Sequence, residues 1–342
     1  MKIAITADPS IPVPPELYGG IERIIDLLIT EFLAKGNSVT LFAHRDSKVS
    51  CDLVPYHSSS YRGDASIYNG WQVNKTLLSR QYDVIHCFGR LAYILPLLPA
   101  GIPKLVSYQR EPTIRQVKRA VRLSKKNTLA FTGCSNYITD QIAPFAQTST
   151  VYNAIDVKKY LPNYTVSEDA PLVFLGRIEP IKGTHLAIDI ALKSGKKLII
   201  AGNVPTNEQS YFNDFVKPHL GEQIEYIGEV NDIQKAQLLQ NASAMLMPIQ
   251  WNEPFGIVMI EAMACGTPVL GIGRGAVPEV VVNEVTGFIA SEASELAQLV
   301  QLVPKIDRRL VRRHVEENFS SRKIADQYLE IYHNLIKQRA DG

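Results

Sequence analysis

Short runs of Val, Ile, Leu and Phe alternate along this chain with longer stretches whose apolar residues recur at helical spacing. In the first half, the runs Ile3–Ala7, Val39–Ala43, Val84–Phe88, Leu105–Tyr108 and Leu129–Thr132 are bounded by Gly, Pro, Asn or Lys. That is the pattern of strands buried on both faces. Between the first two, Gly20 to Lys35 carries a helical apolar stripe and stops at Gly36, a natural position for the residue past a helix end. The alternation restarts with Leu172–Leu175, Leu198–Ala201, Ile224–Ile227, Ala244–Met247 and Val269–Gly271, and after Ala290 the chain reads as helix to the end, including Ser320–Lys337. Parallel strands need crossover helices, so two runs of alternating strand and helix predict an α/β protein with two Rossmann-like, doubly wound parallel sheets. The turn-rich segment Tyr160–Pro171 reads as the linker. The expected division is 1–162, 163–319 and a terminal helix, 320–342, lying back on the first domain. Two such domains are expected to face a cleft and to bind ligands at the carboxyl ends of their strands.

Composition narrows the class. With 46% hydrophobic and 20% charged residues the chain is globular rather than disordered, and a net charge of +2 argues neither for nor against a polyanionic partner. Cys51, Cys87, Cys134 and Cys265 are too far apart to form a metal or redox spacing and read as free thiols. The first apolar run is too short for a signal peptide, and no stretch approaches the ~20 apolar residues of a membrane span. The expectation is a cytoplasmic protein, with peripheral attachment at the inner membrane face left open.

Candidate chemistry concentrates in NEPFGIVMIEAMACGTP, residues 252–268. Pro254 and Phe255 turn the chain sharply before a helix from Gly256 to Ala264. The free N–H groups near Phe255, Gly256 and Ile257 then form an anion-friendly helix start, with Glu253 at its rim and Glu261 about 7.5 Å further along the axis. One carboxylate can accept hydrogen bonds from a sugar's hydroxyls and the other from a ribose. The plainer alternative makes Glu253 a first-turn acid and Glu261 a solvated one, although Ile260, Ala262, Met263 and Ala264 surround Glu261 with apolar or small neighbours. Arg177 and Lys182 follow the first strand of the second half and belong at its carboxyl end. Gly19 and Gly20 open the first helix without the G-x-G-x-x-G spacing of a dinucleotide site, and the chain has no P-loop run.

The run EPFGIVMIEAMACGTPV resembles the glutamate–seven–glutamate signature of family 4 glycosyltransferases, which have the GT-B fold. YGGIER near the N-terminus, NAID at Asn153–Asp156, FLGRIEPIKG at Phe174–Gly183 and the later GAVPEVV agree in order and spacing. The resemblance implies an acceptor-side first domain, a donor-binding second domain, and retaining transfer of a hexosyl group from a nucleotide-diphosphate sugar, UDP- or GDP-linked, to a sugar, lipid-linked glycan or small-molecule hydroxyl. No further cofactor is implied. By this resemblance Glu253, Arg177 and Lys182 are catalytic, while Gly19, Gly20, Phe255, Gly256, Ile257 and Glu261 hold the donor. Arg177 and Lys182 would stabilise the leaving diphosphate without a metal, in keeping with the absence of any Asp-x-Asp pair. Gln109 stands where many members carry a histidine; it can bind a sugar hydroxyl but cannot take a proton. His86 and Asn153 are further candidate acceptor or sugar contacts, with a structural core role the alternative for His86. A GT-B sugar-nucleotide epimerase and a catalytically silent binding protein are the rival readings.

One feature lies outside the signature. Arg115, Lys118, Arg119, Arg122, Lys125 and Lys126 cluster with no acidic residue between Pro112 and Thr139, opposite Val117, Ala120 and Val121. This 115–126 face is a candidate contact for an anionic acceptor or a membrane surface. Without interleaved aromatics it does not suggest nucleic acid.

Overall fold

The computed structural model describes residues 1–15, 19–60 and 62–340; Tyr18 of the YGGIER run and residues 341–342 of the expected terminal segment 320–342 lie outside them. The chain divides into two units, Met1–Ala154 with Ser321–Gly342, and Ile155–Ser320.

Among the described residues the first unit contains seven parallel strands: β1 (Lys2–Thr6), β2 (Ser38–Ala43), β3 (Asp52–Pro55), β4 (Val84–Cys87), β5 (Lys104–Tyr108), β6 (Leu129–Gly133) and β7 (Thr148–Thr150). They lie in the order β3-β2-β1-β4-β5-β6-β7. Helices α1 (Gly20–Ala34), α2 (Gly63–Ser79), α3 (Ile114–Leu123) and α4 (Asn136–Ile142) connect them. The step from β1 to β2 runs one way along this order, and the steps from β3 to β4 and from β5 to β6 run the other way. Right-handed crossovers therefore put α1 on one face of the sheet and α2 and α3 on the opposite face. α1 buries Ile24, Ile25, Leu28, Ile29 and Phe32, an i, i+4 stripe, and past its end Gly36 takes a left-handed φ of 76°.

The second unit repeats the scheme with β8 (Leu172–Leu175), β9 (Leu198–Ala201), β10 (Ile224–Tyr226), β11 (Ala244–Met247), β12 (Val269–Ile272) and β13 (Gly287–Ala290), ordered β10-β9-β8-β11-β12-β13 and all parallel. Its helices are α5 (Thr184–Ser194), α6 (Gln209–Phe215), α7 (Asp232–Asn241), α8 (Ile257–Ala264), α9 (Val277–Val280), α10 (Ala293–Leu299) and α11 (Arg308–Asn318). The interior strands β11 and β12 are buried along their whole length, as apolar runs covered on both faces must be. The last helix, α12 (Ser321–Ala340), returns to the first unit and packs on α1, with the Phe32 and Tyr332 rings 5.7 Å apart and Lys35 paired to Asp326 at 2.7 Å. No described helix is long and apolar enough to cross a membrane.

The units divide at Ala154 and Ile155, earlier than the expected edge at 162. The expected linker is tethered to the second unit. The Arg312 guanidinium donates to the carbonyls of Val157 and Tyr160, Arg308 donates to Asn163 O, and Asn163 N–H donates to Cys265 O. A turn-rich composition marked where regular structure stops, not where contacts stop.

His86 is corrected from a ligand-facing candidate to a core residue. It is fully buried in β4, with Nδ1 against Tyr332 Oη and Nε2 2.6 Å from Ser107 Oγ, which in turn lies 2.6 Å from Thr132 Oγ1. This polar string pins α12 to the sheet, and both ring nitrogens are occupied. Burial pushes the His86 pKa down from 6.5 to about 3. Between those values the unfolded chain binds a proton that the folded chain refuses. The stability that neutral His86 supplies is therefore complete above pH 6.5 and lost as pH falls toward 3, with a slope approaching ~1.4 kcal/mol per pH unit. Urea-unfolding midpoints measured down this range should fall more steeply for the wild type than for His86→Asn. Equal slopes would mean that the folded protein protonates His86 freely.

Candidate functional site

The carboxyl ends of β8, β11 and β12, neighbours in the second sheet, converge on Glu253. After β8 the chain runs through Arg177 and Glu179 into a short 3-10 turn, Pro180–Lys182, closed by Gly183 at φ 76°. A β-carbon at Gly183 would lie 2.0 Å from Pro248 O, so only glycine lets the β8 and β11 loops meet this closely. That contact sets Lys182 against the β11 loop: its Nζ is 2.7 Å from Glu253 Oε2 and 4.7 Å from the centre of the Trp251 ring. Trp251 Nε1 donates to the same oxygen at 3.1 Å. From the β12 loop, Ala276 N–H donates to Glu253 O at 2.8 Å, and a β-carbon on Gly275 would strike the Glu253 backbone. Glu253 is 7% exposed. Its Oε2 is engaged, while Oε1 has no hydrogen-bond partner among the described residues.

The helix start lies directly beyond. Gly256 is left-handed at φ 79° and precedes Ile257, the first residue of α8. The Phe255 ring is buried and stands edge-on to Phe319 with centroids 5.9 Å apart, so any ligand contact by Phe255 is confined to its backbone. One turn into α8, Glu261 is not a solvated acid. It is 5% exposed, and its Oε1 accepts from Tyr160 Oη at 2.6 Å and from Lys235 Nζ of α7. Its Oε2 has no partner among the described residues. Each glutamate thus commits one oxygen to the protein and keeps the other. Arg177 Nη2 lies 2.8 Å from Glu179 Oε1 within the β8 loop.

The structure brings Lys182 and Glu253 into direct contact and places Gly256, Ile257, Glu261 and Arg177 in the same unit. Gly19, Gly20, Gln109 and Asn153 belong to the first unit. Gly19 has φ 151°, Gln109 is half-buried in the bend after β5, and Asn153 is buried with its Oδ1 unpaired. Beside Gly19, Glu22 is buried and its carboxyl is pushed up, first by burial and then by Asp8, against the lowering effect of its own backbone N–H and of Arg110. Sequence reasoning missed Trp251, Tyr160, Lys235 and Glu179. Trp251, two residues before Glu253 and one of two tryptophans in the chain, carried a readable signal; Lys235 carried none.

Two doubly wound parallel sheets in one chain, the second with the buried Glu253–Lys182 pair at its strand ends, match the GT-B architecture. The sequence model for group 1 glycosyl transferases matches residues 162–318, and that for glycosyltransferase family 4 matches residues 18–159. The chain belongs to the family 4 type of glycosyltransferases. It is 25% identical to spore coat protein SA of Bacillus subtilis (strain 168), with 97% of this chain and 99% of that protein covered. The crystal structure of AviGT4, a glycosyltransferase involved in avilamycin A biosynthesis, superposes with a TM-score of 0.74 at 26% identity over 98% of each chain. HepE of Anabaena in complex with UDP-glucose shares the fold, with a TM-score of 0.71 at 20% identity over 97% of this chain and 99% of that one.

Proposed function

We propose that the protein is a retaining hexosyltransferase that uses a nucleotide-diphosphate sugar and needs no metal. The observation that carries this reading is the Lys182–Glu253 pair beside the start of α8, with Glu253 Oε1 left open. In this reading Arg177, Lys182 and the amides near Gly256 hold the diphosphate as the bond from the anomeric carbon to its phosphate oxygen breaks. Charge grows on that oxygen in the transition state, which is where fixed cations and helix-start N–H groups contribute most. The acceptor oxygen bonds to the anomeric carbon on the same face, and its proton passes to the departing phosphate. Glu253 Oε1 accepts from the sugar's hydroxyls, and Glu261 Oε2 accepts from the ribose.

Thermal unfolding in the presence of UDP-sugars and GDP-mannose tests the donor class, because a ligand bound only to the folded state raises the midpoint. UDP-glucose, the ligand of HepE, is the natural first probe. Stabilisation by none of them would refute the reading, and isomerised donor formed without acceptor would indicate an epimerase instead. Glu261→Gln gives a sharper check. A ribose contact is made equally in ground and transition states, so its loss should raise the donor KM roughly tenfold with kcat nearly unchanged. A fall in kcat at constant KM would place Glu261 in the chemistry instead.

A further inference from the structure

Two helices on one face of the first sheet leave unusual surfaces without partners. α2 buries Asn69, Val73 and Leu77, and on its opposite side exposes Ile67, Tyr68, Trp71 and Leu78 at 69, 57, 62 and 68%. At ~100° per residue these four fall within an arc of about 100°, so they form one apolar stripe and not scattered exceptions. Lys75 lies in the same arc, with its Nζ 4.9 Å over the Trp71 ring. α3 shows the complementary pattern. It buries Val117 and Ala120 and exposes Arg115, Lys118, Arg119 and Arg122 on the other side, followed by exposed Lys125 and Lys126. Among the described residues no carboxylate pairs with any of these six cations. Lys118 instead sits 4.0 Å over the ring of Phe145, which is itself partly exposed, as are Val121 and Leu123. The right-handed crossovers place α2 and α3 in the same layer, on the face opposite α1, with α2 packed on the 3-10 segment Leu91–Leu97 and the start of the α3–β6 loop bonded to that segment's end through Lys125 N–H and Leu98 O.

We propose that this layer is a docking surface for an anionic lipid bilayer. A purely electrostatic partner would use α3 and leave the α2 stripe exposed to water, while a purely apolar partner would leave six cations unmatched. An anionic membrane matches both at once. Its headgroup charge attracts the α3 cations, and its interfacial zone accepts a Trp and a Tyr beside aliphatic side chains. The lysine and arginine stems also supply apolar length beneath their charges. The surface is confined to the first unit and is independent of which donor the second unit binds.

Vesicle co-sedimentation of the full chain tests the charge requirement, comparing neutral phosphatidylcholine with vesicles containing about 30% phosphatidylglycerol. Binding should appear only with the anionic vesicles and weaken as salt rises. Replacing Lys118, Arg119 and Arg122 together by Gln should cut partitioning about a hundredfold, at roughly fivefold for each cation near an anionic surface. All three are exposed, and a direct readout of α2 needs no change to the surface at all. Trp251→Phe leaves Trp71 as the only tryptophan, and its emission should shift to the blue and be quenched by brominated lipid when anionic vesicles are added. Equal binding to neutral and anionic vesicles, no binding to either, or Trp71 emission unchanged on bound vesicles would each overturn the proposal. So would a dimer in sedimentation that Trp71→Ser converts to a monomer, since a second copy of the chain would then own the stripe.

Discussion

Lys182→Ala is expected to lower kcat by about 10²–10³-fold, the usual loss when one fixed charge-stabilising group is removed from a transition state. The geometry explains why a surface lysine would not serve as well. Lys182 ends a turn that Gly183 closes against Pro248, and its ammonium is held between a carboxylate and an indole. Its position is therefore paid for in folding, and no reorganisation is needed when charge develops on a leaving phosphate. The variant also removes the cation from Glu253, which remains buried with only Trp251 on Oε2. The two roles separate in a double-mutant cycle with Glu253→Gln. If Lys182 acts on the leaving group, it should cost kcat in either background. If its whole role is to neutralise Glu253, Lys182→Ala should cost little once Glu253 is Gln. Steady-state kinetics on both single variants and the double one decide this. A Lys182→Ala enzyme that keeps its full kcat would remove lysine from the mechanism altogether.

All but one of the strands read from sequence are those that the sheets enclose; the exception is β10, an edge strand that still shows as the run Ile224–Ile227. β1, β2, β4, β5, β6, β8, β9, β11 and β12 are interior in their sheets, and each shows as an apolar run. The three that escaped, β3, β7 and β13, are all edge strands. Asp52–Pro55 and Thr148–Thr150 have no fully buried residue, because an edge strand needs only partial cover and so carries no continuous hydrophobic signal. The site divides in the same way. Glu253 and Lys182 were legible because both sit just beyond apolar strands, where an α/β sheet presents its ligands. Glu261's partners were not. Lys235 comes from α7 and Tyr160 from a segment that looked like connector, and no local pattern announces a contact made across 26 or 101 residues. The sequence leaves His86 open between a sugar contact and a core role for a related reason. The strand end suggested exposure, and only α12, arriving from the far end of the chain, encloses it.

That connector is where the largest loss of stability is expected. Arg312→Met should destabilise the second unit by about 3–5 kcal/mol, the range for removing one partner from a buried ionic network. Arg312 is 9% exposed and donates to Tyr160 O and Ala264 O, each at 2.6 Å, and to Val157 O at 3.0 Å, with Nε on Glu316. Methionine fills much of the volume but leaves Tyr160 O and Ala264 O without this donor and Val157 O with only the Tyr160 N–H, at roughly 1–3 kcal/mol for each carbonyl that water cannot reach. The exposed neighbour Arg309, whose guanidinium stacks 5.3 Å over Tyr164, is the control, and Arg309→Met should change stability by about 0.5 kcal/mol or less. Urea unfolding followed by Trp251 emission in a Trp71→Phe background reports on the second unit alone. The consequence reaches the site as well. Tyr160 is held by its carbonyl to Arg312 and by its hydroxyl to Glu261, so releasing one end frees the other. Arg312→Met should therefore raise the donor KM in the same direction as Glu261→Gln, although Arg312 itself donates to none of the proposed donor-binding side chains. A variant that loses stability with an unchanged donor KM would show that Lys235 alone suffices to orient Glu261.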